Sequence, residues 1–426
     1  MQKVVVAMAA CSIIMDGFDG QLIGFAVPVL IKEWRVTRGD FAPALAAGLV
    51  GMGIGSASAG LLADRFGRRL AIVASVFLFG IATFCVGFSQ NLLTIGLLRF
   101  AAGLGIGGAL PTSTTMTAEY TPARRRTLAV TATIVCVPLG GMTAGLFAGF
   151  VLPHYGWRAL FFLGGLLAVI LGIVLTIGLP ESPRFLARRP KRWAELASLL
   201  GRMGRPTAAD TRFTDLREQR AEKHEGFLAL FQDGRTRDTL ALWCAFFLNL
   251  LAVYAAFSWL PTMLVSEGLD VGVAASGLTA YNLGGVFGAL LCAFAISRFG
   301  SRWPLALCAL GGSASAFLLE TVNAAENAGL LIFGLAVHGL FVNATQSTMY
   351  AVCAHVYPTT VRATGTASAL AFGRLGAILS AFAGAAVITV GGASAYLTML
   401  GLAMMGVLGS LLVLTRHIPS VAGTRA

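Results

Sequence analysis

The sequence predicts an all-α polytopic membrane protein with twelve transmembrane helices, arranged as two six-helix bundles related by pseudo-twofold symmetry. Three observations carry that reading. The 426-residue chain is 57% hydrophobic and only 12% charged, with a mean hydropathy of +0.79, more apolar surface than a soluble core can bury. Twelve apolar runs, bounded by charge or by Gly/Pro turns, are long enough to cross a bilayer as helices. The second half of the chain also repeats the first.

Taken in order, the spans fall near 4–31, 41–63, 70–88, 91–118, 128–153 and 158–179, then 239–264, 272–296, 303–321, 327–352, 363–390 and 394–415. The first run lacks a small-residue cleavage site and carries two acids, so it reads as a retained helix rather than a signal peptide. It begins so close to Met1 that a true start upstream of Met1 stays open. Residues 1–180 form an N-terminal bundle and 239–415 a C-terminal bundle, with 416–426 as a tail. Between the bundles, 181–238 is a polar central loop crowded with Arg, Lys, Glu and Asp, with an amphipathic helix expected around Lys191–Met203.

Charge placement sets the topology. Arg65, Arg68 and Arg69 follow span two, Arg124–Arg126 follow span four, Arg298 and Arg302 follow span eight, and Arg362 follows span ten, all on the side of the central loop. The opposite loops offer only Lys32, Arg35, Arg38 and Arg158. By the positive-inside rule both termini and the central loop are cytoplasmic, in a bacterial inner membrane. The formal net charge of +12 therefore reports orientation and not nucleic acid binding. The seven cysteines lie inside apolar runs without metal-like pairing and act as small hydrophobes, so no disulfide, metal or other cofactor is expected.

The repeat is explicit. LADRFGRRL (62–70) returns as ISRFGSRWP (296–304) at an offset of 233, which also carries Pro28 onto Pro261 and Asp16 onto Asn249. Downstream the offset becomes 236, taking Gly103 to Gly339, Glu119 to His355, Arg126 to Arg362 and Gly140 to Gly376. Parallel six-span copies meet at an interface near mid-membrane, where a substrate site belongs.

Two ionisable groups stand out. In Met15–Leu30 the chain reads MDGFDGQLIGFAVPVL, with Asp16 and Asp19 on one helical face and Gly17, Gly20 and Gly24 giving narrow flanks. Acids in hydrocarbon are expensive and usually functional; the alternative is a pair of hydrogen-bonded packing polars. Arg374 lies near the middle of its span between Gly373 and Gly376, and its repeat equivalent is Pro138, so the fold does not require a cation there. A planar fork of donors suits a substrate carboxylate, the alternative being an ion pair with Asp16 or Asp19 across the halves.

At these motifs the chain resembles the major facilitator superfamily over essentially its whole length. Asp64-Arg65-Phe66-Gly67-Arg68-Arg69 resembles that superfamily's loop signature between its second and third helices, and Arg99 to Gly108 its fourth-helix signature. Pro180-Glu181-Ser182-Pro183-Arg184 is similar to the segment after the sixth helix of sugar and organic-acid porters. Asp16-Gly17-Phe18-Asp19, Ala118-Glu119-Tyr120 and Gly373-Arg374-Leu375-Gly376 resemble the aromatic acid:proton symporter family within it.

The resemblance implies a secondary active transporter, not an enzyme, acting as a monomer on a small aromatic carboxylate of the benzoate, hydroxybenzoate or phenylpropionate type. Asp64, Arg65, Gly67, Arg68 and Arg69 would latch helix ends when one side is closed, with Glu119 and Arg124 as gate partners; simple topology signalling is the alternative. Ser297 stands where the second copy needs Asp64, so the halves should not gate equally. Arg99 would either tune proton release from the first helix or snorkel to the interface. Polar groups in the C-terminal half, namely His338, Asn343 and Gln346, Asn249, Tyr254 and Trp259, and Tyr281 and Asn282, either bridge helices or supply the donors and flat walls an aromatic acid needs.

Importing an anion into a cell that is negative inside is opposed by about 2.3 kcal/mol per charge per 100 mV. Asp16 and Asp19 are therefore expected to carry protons, with Arg374 receiving the carboxylate. An exporter, or a proton-coupled porter of another organic acid, a sugar or a drug, would share the frame. A membrane enzyme would need a nucleophile, metal cluster or catalytic dyad that the sequence does not offer.

Overall fold

The computed structural model describes the chain except residues 208–210, 214–226, 233, 325, 359–360 and 421–426, and except the side chains of 123, 124, 127, 128 and 363. Parts of the expected central loop and tail, and the Arg124 side chain, thus lie outside the described residues. The long helices are α1 (Gln2–Trp34), α2 (Arg38–Phe66), α3 (Arg68–Val86), α4 (Leu92–Tyr120) and α5 (Ala123–Gly178). Two short helices follow, α6 (Pro183–Ala187) and α7 (Trp193–Arg202), and then α8 (Thr236–Ser266), α9 (Val271–Phe299), α10 (Arg302–Glu320), α11 (Ala328–Val356) and α12 (Arg362–Val413).

Ten of these are long and apolar enough to cross a membrane. Two are broken in the middle: α5 at Gly156 (φ 76°, ψ 178°) and α12 at Gly392 (φ 63°, ψ −150°). Each therefore supplies two spans, which restores the expected twelve. Where the sequence suggests short loops after 153 and 390, the chain turns on a single glycine in a backbone region that side chains disfavour.

Helix ends follow local chemistry. The Thr37–Asp40 capping box opens α2, and Asn91 accepts from the Thr94 N–H to open α4. The amphipathic helix expected near Lys191–Met203 is α7, with Leu196 and Leu199 buried.

Small residues let the backbones meet, and they do so in duplicate. Cβ atoms on Gly51 and Gly55 of α2 would overlap the carbonyls of Phe100 and Leu104, while those on Gly103 and Gly107 of α4 would overlap the carbonyls of Gly48 and Met52. In the other half Gly284 and Gly288 of α9 lie against the carbonyls of Ala336 and Leu340, and Gly339 of α11 against that of Tyr281. Gly140 on Ile14 and Gly376 on Phe247 form a second matched pair. Both positions of each pair obey the sequence offsets, so the repeat is one of packing as well as of motif. The halves meet along α1 on α8, α2 on α12, and α5 on α9.

Gly103→Val and Gly339→Val should each lower the melting temperature of the detergent-solubilised protein, by an overpacking loss of about 1–3 kcal/mol. An unchanged melting temperature would show that these helix pairs have room to spare.

Candidate functional site

The mid-membrane seam gathers side chains from both halves. Arg374, on the first arm of α12, donates from Nη1 to Tyr254 Oη of α8 (2.7 Å) and lies 2.7 Å from Met52 Sδ of α2, in the opposite half. Tyr254 Oη is itself 3.2 Å from that sulfur, and the guanidinium sits 5.6 Å from the Tyr254 ring centroid. No carboxylate pairs with Arg374 among the described residues. Beside it, Asn249 Nδ2 donates to Gln346 Oε1 (2.5 Å), and Gln346 Nε2 to Tyr350 Oη (3.2 Å). Phe246 meets the Tyr350 ring edge-on at 5.7 Å. The result is a cation set among phenols, amides and aromatic faces.

Across the seam the two acids of α1 part company. Asp19 is 1% exposed and lies 3.7 Å from Arg99 Nη1, and the Arg99 guanidinium also reaches the carbonyls of Asp19 and Gly20, both at 3.4 Å. Arg99 thus turns inward, 4% exposed, rather than snorkelling. Both Asp19 carboxylate oxygens are buried without a hydrogen bond. Asp16 is buried, makes no hydrogen bond or ion pair among the described residues, and lies within coulombic reach of Arg374. The ion pair that sequence allowed between Arg374 and an α1 acid does not close.

Other polar residues singled out in the C-terminal half are placed elsewhere. His338 Nδ1 contacts Ser315 Oγ (3.0 Å) and the Gly312 carbonyl (3.1 Å), joining α11 to α10. Asn343 donates back to the Gly339 carbonyl of its own helix (3.0 Å). Trp259 Nε1 donates to the Ala381 carbonyl (3.0 Å), and the Tyr281 ring packs on Phe257 and His338 with its hydroxyl buried and unpartnered. Asn282 bonds Gln21 of the other half. Of the nine residues expected around a substrate, the seam brings together Arg374, Tyr254, Asn249 and Gln346. Met52, Tyr350 and Gln21 escaped sequence reasoning; only the Gln346–Tyr350 spacing of four, which puts both on one helical face, was a signal.

A second polar network lies on the face bearing the loop arginines. Arg68 pairs with Asp64 (2.6 Å) and approaches Glu119 (3.8 Å), whose carboxylate accepts from Ser182 Oγ. Glu181 Oε1 accepts from the backbone N–H groups of Arg68 (2.9 Å), Arg69 (3.1 Å) and Ser182 (2.8 Å), capping the start of α3 with a negative charge. Gly67, at φ 108°, leaves room for that carboxylate, which a Cβ would overlap. Arg69 Nη2 donates to the Thr176 carbonyl (2.5 Å), whereas the Arg65 carbonyl accepts from Arg189 (2.6 Å) and the Arg65 guanidinium lies over Phe66.

Twelve spans in two repeated halves, with ionisable groups buried within the spans, make a membrane transporter. The chain belongs to the Major Facilitator Superfamily, whose profile matches residues 9–293 and 242–425. It is a multi-pass membrane transporter and not an enzyme, and its fold implies alternating access. It is 34% identical to a gallate transporter of Pseudomonas putida, over 94% of this chain and 89% of that protein. It is also 34% identical to the 4-hydroxybenzoate transporter PcaK of Pseudomonas aeruginosa, over 91% of this chain and 86% of that one. Among solved structures, the inward open xylose transporter XylE from E. coli matches with a TM-score of 0.77 at 19% identity, over 97% of this chain and 95% of that chain.

Glu181→Gln should weaken the cap on α3 by roughly 1–3 kcal/mol, the usual worth of charge-assisted hydrogen bonds. Faster amide exchange at the first turn of α3 would report it, and wild-type exchange there would show that the carboxylate does not hold the turn.

Proposed function

We propose that the protein imports a small aromatic carboxylate together with protons. The observation that carries this is Arg374: a mid-membrane guanidinium whose partners are a phenol and a thioether, leaving its charge without a carboxylate among the described residues. A half-buried cation at that depth calls for an anionic ligand. Tyr254, Tyr350 and Phe246 supply flat faces, and Asn249 and Gln346 supply polar edges, for a ring held by its carboxylate. Gallate and 4-hydroxybenzoate, the cargoes named for two relatives, are both aromatic carboxylates.

Asp16 and Asp19 carry the protons in this scheme. Asp16 is buried with nothing bonded to it among the described residues, so it can exchange a proton as the anion arrives or leaves. Asp19 is held by Arg99, which sets how readily it does the same. The substrate carboxylate displaces Met52 from the guanidinium, and rocking of the halves 1–180 and 239–415 carries the site from one face to the other. The arginine-bearing face, with both termini, is cytoplasmic in the bacterial inner membrane. The Asp64, Arg68, Glu119 and Glu181 network belongs to the gate on that face. One chain supplies both sides of the seam, so a monomer suffices.

In proteoliposomes, Arg374→Ala should weaken binding of 4-hydroxybenzoate by about 10- to 100-fold, with Arg374→Lys intermediate because it keeps charge but loses the fork. Unchanged binding by the alanine variant would remove Arg374 from the site. Asp16→Asn and Asp19→Asn should each abolish uphill uptake driven by an inwardly directed proton gradient, while Asp16→Asn retains exchange of substrate across the membrane. Normal uphill uptake by either would exclude that aspartate as the proton carrier.

A further inference from the structure

On the side of the site away from the loop arginines, the helices of the two halves touch closely. There Gly24 of α1 lies against the Phe257 carbonyl of α8, and Gly145 of α5 lies against the Thr279 side chain of α9, each so close that a Cβ would overlap its neighbour. About one turn nearer the site than these two contacts stands a reciprocal amide pair. Gln21 Nε2 donates to Asn282 Oδ1 at 3.2 Å, and Asn282 Nδ2 donates to Gln21 Oε1 at 2.7 Å. Gln21 is 2% exposed and Asn282 fully buried. Gln21 belongs to α1 and Asn282 to α9, so both bonds cross from one half to the other.

We propose that Gln21 and Asn282 form a breakable clasp that holds the seam shut on that side, and that they act as positioning residues for the alternating-access cycle. Geometry places the clasp outside the cargo site: Gln21 follows Asp16 by five residues, about 7 Å further along the helix toward the end of α1. Cargo entering from that face must pass between the helices the clasp joins. Separating the halves breaks both bonds at once, and each amide then meets water in the opened cleft, so the exchange is close to balanced. A salt bridge at the same depth would be far harder to part and re-form.

Gly141 of α5 completes the device. A Cβ there would overlap the Gln21 amide and stand 2.7 Å from Asn282 Oδ1, so this glycine is the space in which the two amides meet. The clasp is thus addressable from three helices. Asn282 also donates to the Leu278 carbonyl at 2.9 Å, which fixes its amide toward α1.

The test uses full-length protein in nanodiscs without substrate, so its outcome does not depend on which cargo is carried. Hydrogen exchange is followed by mass spectrometry in peptides covering the far halves of α1, α5, α8 and α9 and, separately, in peptides from the arginine-bearing face. Gln21→Leu, Asn282→Leu and Gly141→Ala should each shift the equilibrium toward opening on the far side by about five-fold, the factor for one net hydrogen bond. Exchange should rise there and fall on the opposite face. A general loss of packing would instead raise exchange on both faces, and that result counts against the proposal. The double variant Gln21→Asn with Asn282→Gln rebuilds two reciprocal amide bonds with the lengths reversed and should return to wild-type exchange. Wild-type exchange in all three single variants, or a double variant as open as the singles, would overturn the clasp.

Discussion

The structure depends on a charge that it does not neutralise. Arg374 sits midway across the membrane, held by the Tyr254 hydroxyl and the Met52 sulfur. A cation at that depth is tolerated only when it faces a partner or a cavity. Much of the surrounding architecture follows. Gly373 and Gly376 bring α12 against α8, with Phe246, Phe247 and Leu250 as the surfaces they meet, so that Arg374 and Tyr254 share one side of the seam. Of the α1 acids in the other half, Asp19 pairs with Arg99 and neither bonds Arg374 among the described residues. The site is complete in chemistry but open in charge, which is the condition a carrier needs in order to bind an anion and let it go.

The two halves share a plan but not a chemistry. Gly67 and Gly300 are repeat partners, both at positive φ (108° and 80°), and both close a loop against the segment that follows a sixth span. In the first half that segment offers the Glu181 carboxylate to the α3 backbone. In the second it offers main chain and an imidazole: Ser301 N–H donates to the Ile418 carbonyl (3.0 Å), Ile418 N–H donates to Ser301 Oγ (2.9 Å), and His417 approaches the same hydroxyl (3.3 Å). Asp238, fully buried at the start of α8, holds Thr415 at the end of α12 through its N–H (2.7 Å) and hydroxyl (2.8 Å). The second half thus carries its charge beside the loop, with Arg416 3.6 Å from Asp238, and the asymmetry visible as Ser297 in place of Asp64 extends to the contacts beneath it.

The frame was legible because its determinants are local and repeated. Apolar length gave the spans, and glycines at matched offsets marked where helices touch, as Gly103 and Gly339 do. The candidate site was legible most clearly in its charges. Asp16, Asp19, Arg99 and Arg374 stand out because ionisable groups are rare in hydrocarbon. Neutral polar residues carry no such signal. His338 and Asn343 sit on α11, a helix apolar nearly all round, so no amphipathic stripe tells which side faces the seam. The Gly312 carbonyl and Ser315 claimed the imidazole instead. Met52 was invisible for the opposite reason, since a thioether in a membrane span reads as lipid-compatible packing until a guanidinium is found against it.

Among the described residues, the contacts that cross the seam are hydrogen bonds and close packing rather than ion pairs. Met52 meets Arg374 and Tyr254 through sulfur, Gln21 meets Asn282 through neutral amides, and glycines meet carbonyl oxygens by close approach alone. The buried ion pair of Asp19 with Arg99 stays inside one half. That division is what a rocking mechanism demands. Parting a buried ion pair strands a charge and costs roughly 3–5 kcal/mol, enough to trap the protein in one state. Neutral hydrogen bonds trade with water for about 1 kcal/mol or less net, so halves joined by them can separate and rejoin within a transport cycle. Strong pairs belong where the structure moves as a body, and weak ones where it divides. By that rule, the weak contacts lie between α1, α2 and α5 on one side and α8, α9 and α12 on the other.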